Sequence, residues 1–149
     1  MTKTVVIVGA LDTKGQEFTL VKQLIEQQGL NTLVVDFGVM GQPAFAPDVT
    51  RRELAAAAGS HLDYLATGQH KDEAMRAMAT GLAAVVRRLY DEGRLDGILG
   101  MGGSGGTSIS TAAMRTLPVG VPQLMLSPLG GGDLSAYAGT KDITFLPSV

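Results

Sequence analysis

The sequence has no cysteine and no tryptophan, and only 5% of its 149 residues are aromatic. Without cysteine there is no disulfide framework, no thiolate metal site and no cysteine nucleophile. Charge is also sparse: 17% of residues are charged, the net charge is −2, and like charges form no run. That speaks against nucleic acid as a partner, while leaving room for a local phosphate pocket. No apolar run approaches the ~18 residues of a membrane-spanning helix, so no membrane partner is expected. The N-terminal stretch passes from Thr4 into a short apolar run that ends before Asp12, too brief for a secretory leader. The expected location is therefore cytoplasmic.

What the chain does have is apolar residues, at 45%, and 20 glycines in clusters. A chain of this length is expected to form one domain over residues 1–149 and to bury about two-thirds of its extended surface. Thr4 to Gly9 is a continuous β-branched run closed by glycine, as in a strand buried on both faces. A helix is predicted from about Gly15 to Gln28, with Phe18, Val21, Leu24 and Ile25 on one face and Gly29 after it. Asn31 to Asp36 reads as the second strand, and Phe37 to Asp48 as loop. Thr50 to Glu53 is a capping box opening an alanine-rich helix that stops at Gly59. A long helix from about Asp72 to Glu92 carries the stripe Met75, Met78, Leu82, Val85 or Val86, and Leu89, which reads as core packing or a subunit contact. Gly97 to Gly100, Gln123 to Ser127 and Ile143 to Leu146 are further strands, with a helix from Thr107 to Arg115 between the first two.

Strand alternating with helix, and few hairpin signals, predicts an α/β fold: a doubly wound, Rossmann-like, mostly parallel sheet of about five strands. The sequence stops at Pro147-Ser148-Val149, directly after a strand, so truncation relative to a longer protein, or an arm completed by a second subunit, is expected. In such a sheet the loops after the strands gather on one edge, where ligands bind at the point of strand-order reversal. If the order is 2-1-3-4-5, the crevice opens between the loops after strands one and three.

The third of these loops, Gly100 to Thr107, holds five glycines. Glycine loses more backbone entropy on folding than any other residue, so such a run implies close backbone approach to a ligand. With a helix starting near Thr107, Gly102, Gly103, Ser104, Gly105, Gly106 and Thr107 form an expected phosphate or other anion site; the plainer reading is a flexible turn. Residues 100–105 also spell G-x-G-x-x-G, but the acid a nicotinamide site needs about 20 positions later is missing. Asp36 occupies that acidic position for the first strand instead. It reads either as a ribose acceptor or as a strand-end cap.

The first loop, from Gly9, offers Asp12, Thr13 and Lys14. Lys14 suits a polyphosphate and Asp12 a Mg2+ ion or its water shell. Alternatively Thr13-x-x-Gln16 is a capping box, Asp12 a second cap, and Lys14 a solvated side chain. This is not a Walker A loop, because Lys14 precedes Gly15 and no Lys-Ser/Thr pair follows. The fourth loop, Ser127 to Asp133, repeats open backbone plus one acid; Asp133 either meets a ligand or caps the following turn. Ser104 satisfies G-x-S-x-G in letters, but no histidine follows it, and His61 and His70 read as surface residues. No catalytic residue is identified.

Gly9 to Lys14 with Glu17, Gly102 to Thr107, Gly132-Asp133 with Tyr137 and Gly139, and Asp142-Ile143 together resemble the Tm-one-like ATP-binding family. This formerly uncharacterised group includes a plant tobamovirus resistance protein. The likeness covers the whole chain but only the N-terminal part of family members, and the chain departs from the family at Ala10-Leu11, where small or polar residues are common. The resemblance implies a Rossmann-like subdomain that binds ATP, a second subdomain absent from this chain, and a homodimer. It aligns the third loop with the family's phosphate-binding segment. The alternatives are an NAD-dependent oxidoreductase and a non-catalytic interaction module.

Overall fold

The computed structural model describes residues 2–148; Met1 and Val149 lie outside the described residues. Five parallel strands form one sheet in the order β2-β1-β3-β4-β5. They are β1 (Thr4–Gly9), β2 (Asn31–Asp36), β3 (Gly97–Met101), β4 (Gln123–Ser127) and β5 (Thr144–Pro147). The helices are α1 (Gly15–Gln27), α2 (Arg51–Ala57), α3 (Leu62–Leu65), α4 (Lys71–Asp91), α5 (Ser104–Met114) and α6 (Ser135–Ala138). This is the doubly wound, Rossmann-like arrangement that the strand–helix alternation predicts.

Because strand side chains alternate, β1 and β2 feed two separate cores. Val6, Val8, Leu33 and Val35 face one side, where they join Met78, Leu82, Val86 and Leu89 of α4 and Ile109, Ala113 and Met114 of α5. Ile7 and Val34 face the other side and pack on Phe18 of α1, with Leu11 and Met101. Burying Phe18 completely contributes about 1.5–3 kcal/mol, and it anchors α1. The two faces are unequal. On the second side the sheet is packed by α1 with Leu11 and Phe45 from the loops, leaving Leu99 and Leu126 half-buried and Leu146 51% exposed.

The capping box at Thr50 forms in full: its hydroxyl accepts from the Glu53 N–H while Glu53 accepts from the Thr50 N–H. Gly81 lets α2 rest on α4, since a Cβ there would lie 2.0 Å from the Leu54 carbonyl oxygen. One boundary differs from the sequence reading. α5 begins at Ser104, not near Thr107, so Gly105 and Gly106 belong to its first turn. Tertiary packing overrides the poor helix propensity of glycine, which costs about 1 kcal/mol per residue relative to alanine.

Candidate functional site

The carboxyl ends of β1, β3 and β4 place the first, third and fourth loops side by side. Some of the glycines there are required by packing rather than by open backbone. None in the third loop has a positive φ. Gly102 is needed because a Cβ would sit 2.9 Å from the Gly106 Cα, and Gly100 because one would sit 2.9 Å from the Met125 sulfur. Gly9 makes room for the Phe18 ring, which a Cβ would overlap. These glycines let helices lie close against strands.

The geometry nevertheless leaves donors free. Gly103 is the N-cap of α5 and supplies no capping side chain. The first helical N–H with a partner is that of Thr107, which donates to the Gly103 carbonyl at 2.8 Å. Among the described residues the N–H groups of Ser104, Gly105 and Gly106 have no acceptor. Uncapped N–H groups at the positive end of a helix dipole favour negative charge nearby. The Thr107 side chain does not join them. It is fully buried, donates to the Gly103 carbonyl at 2.7 Å and pairs with the Ser127 hydroxyl at 2.6 Å. Ser127 also accepts from the Leu129 N–H, so both hydroxyls tie the third loop to the fourth.

In the first loop, Lys14 is the N-cap residue of α1 and lines a cleft of about 340 Å³ with Glu17, Met101, Gly102, Gly103 and Pro128. Lys14 and the α5 terminus therefore border one space. The Thr13 capping box does not form; α1 has no side-chain cap, and the Thr13 hydroxyl reaches only the Ala10 carbonyl at 3.5 Å. Asp12 acts on the backbone: its Oδ2 accepts from the Met40 and Gly41 N–H groups at 2.9 and 3.0 Å. Its Oδ1 is buried without a partner, against Gly38. Among the described residues no three His, Asp or Glu side chains are grouped to hold a metal ion.

Asp36 is fully buried rather than presented to a ribose. Its Oδ1 accepts from the Leu11 and Gly38 N–H groups, pinning the first loop to the strand end, while Oδ2 has no partner. Burial raises its pKa above the ordinary carboxylate range, the two backbone hydrogen bonds oppose that rise, and the Asp12 charge adds to it. Asp133 is exposed and accepts from the Ser135 N–H, which lowers its pKa; it shapes the turn before α6. Ser104 is exposed at the first turn of α5 without a histidine partner. His70 stacks on Tyr64 at the start of α4, and His61 precedes α3. Phe37 and Met75 are not among the candidate site residues read from the sequence. They line an apolar cavity of about 240 Å³ beside α5. An aromatic residue directly after the acid closing β2 was the available signal.

Residues 3–149 match the model of the uncharacterised protein family (UPF0261) N-terminal domain. A UPF0261 protein of Clostridium tetani is 46% identical over 149 residues, which is 100% of this chain and 37% of that protein. Another from Rhizobium meliloti is 36% identical over 147 residues, 99% of this chain and 36% of its own length. The ToMV resistance protein Tm-1(GCR237) of Solanum lycopersicum is 40% identical over 76 residues, 51% of this chain and 10% of that protein. The chain spans little more than a third of the length of the bacterial relatives. Among the described residues no helix is long and apolar enough to cross a membrane. The chain belongs to the uncharacterised protein family UPF0261, its residues 3–149 matching the family's N-terminal domain.

Proposed function

We propose that this domain binds the phosphates of a nucleotide, ATP being the foremost candidate, at the N-terminus of α5. The observation that carries the reading is the uncapped first turn, where three consecutive N–H groups lack acceptors beside the cleft lined by Lys14. A polyphosphate supplies the missing acceptors, and Lys14 supplies a countercharge on the opposite wall. Hydrogen bonds from such groups to a charged acceptor contribute about 1.5–3 kcal/mol each. Any Mg2+ would enter on the phosphates, since Asp12 already uses one oxygen on backbone. We further propose a homodimer, on the motif resemblance, with sedimentation equilibrium as its check; a monomer mass would refute it.

Calorimetric titration of the purified chain with ATP, ADP and NADH tests the nucleotide reading. Saturable binding of ATP and ADP without NADH supports it, and equal indifference to all three refutes it. Nucleotide binding without turnover, a non-catalytic module, is the second reading. An ATP-hydrolysis assay on the nucleotide-bound chain separates the two. Sustained turnover would rule the module out.

A further inference from the structure

A second cavity adjoins the same turn of α5, on the side away from Lys14. It holds about 240 Å³ and is lined chiefly by Phe37, Val39, Met40, Met75, Met78 and Ile109. Its walls meet the anion site directly. A Cβ on Gly105 would lie 3.4 Å from the Met75 Cε, and one on Gly106 would lie 3.8 Å from the Phe37 Cζ. One turn of helix thus separates a cleft lined by Lys14 and Glu17 from a pocket of thioethers, aliphatic groups and one aromatic ring that Lys71 also lines. The cavity is smaller than the roughly 300–1,000 Å³ of sites that enclose a whole ligand, so it suits part of one. Met40 stands at the cavity while 70% exposed, apolar surface that an occupant would cover.

We infer that this cavity takes the nucleobase of the nucleotide whose phosphates lie on the α5 terminus. The inference rests on the phosphate reading above and adds which part of the ligand meets which wall. A flat heterocycle suits these residues better than an alkyl group. Aromatic faces stack on rings such as that of Phe37, and the polarizable sulfurs of Met40, Met75 and Met78 favour contact with π-systems. Flexible methionines adapt to more than one ring shape, so discrimination between bases is modest. Lys71, which also lines the cavity, is a donor for a ring nitrogen or carbonyl.

The test compares ATP with inorganic tripolyphosphate by calorimetry on the whole chain, with thermal melting as the control for folding. Wild type is expected to bind ATP at least tenfold more tightly than tripolyphosphate. Met75→Trp, which fills the cavity, should weaken ATP at least tenfold and change tripolyphosphate less than threefold. Should that variant fail to fold, Met40→Ala removes only an exposed side chain and should weaken ATP at least threefold, again sparing tripolyphosphate. Equal affinity of wild type for ATP and tripolyphosphate, or variants with unchanged ATP affinity, overturns the base pocket and leaves the phosphate site standing. Binding of neither overturns both.

Discussion

Lys14 and Asp36 show how neighbouring loops divide the work at the scale of single residues. Lys14 lines the cleft together with Gly102 and Gly103, and under the nucleotide proposal its charge meets the outer phosphates. Lys14→Ala should weaken ATP about tenfold or more, and AMP much less, in parallel titrations; this corresponds to ~1.4 kcal/mol per decade of affinity. Asp36 acts on the fold. Its folded pKa is raised, chiefly by burial, so the folded state holds a proton that the unfolded state releases. Its contribution to stability is complete below the ordinary value of 3.8 and is lost as pH rises through the higher folded value. Asp36→Asn keeps an acceptor for the Leu11 and Gly38 N–H groups and cannot ionise. Urea midpoints measured from pH 4 to 7 should therefore decline less steeply in Asp36→Asn than in wild type. Parallel profiles would show that Asp36 does not titrate in this range.

Between elements, glycine decides how closely helices approach. Gly81 meets the Leu54 backbone carbonyl, which has no flexible end to yield. Alanine at this position would gain about 1 kcal/mol of helix propensity but incur overpacking of typically 1–3 kcal/mol, and a backbone contact lies at the upper end. Gly81→Ala should lower the melting temperature by several degrees, at roughly 2–4 °C per kcal/mol for a domain of this size. Gly105 is the contrasting case. It is helical without a positive φ, and a Cβ there would meet first the flexible end of Met75, at 3.4 Å. Gly105→Val should move the melting temperature by less than about 3 °C, since valine is no worse a helix former than glycine. ATP affinity should nevertheless fall tenfold or more, because the side chain would stand against Met75, between the free N–H groups and the adjoining cavity. A large loss of stability with unchanged affinity would make the turn purely structural.

For the whole molecule, burial falls off across the sheet. The last four residues of β1 are all buried, whereas β5 is exposed at three of its four positions. Native-state hydrogen exchange should therefore release β5 first, and β1 and β3 last, near the global unfolding free energy. Exchange of all five strands at one rate would show that the sheet opens only as a unit. The strand runs, the long helix, the Thr50 capping box and the parallel order were legible in the sequence, because periodicity and β-branching act over a few adjacent residues. Adjacent loops at the carboxyl edge followed from the parallel order alone. The roles within those loops did not, because they depend on residues distant in sequence. Thr107 and Ser127 satisfy one another across 20 positions, and Asp12 is spent on Met40 and Gly41. Phe37 and Met75 border one cavity only because β2 and α4 both pack beside α5. Local pattern thus determined where the strands and helices run. Only tertiary packing decided which polar groups satisfy each other and which N–H groups stay without an acceptor, because a hydrogen bond is settled by proximity in space.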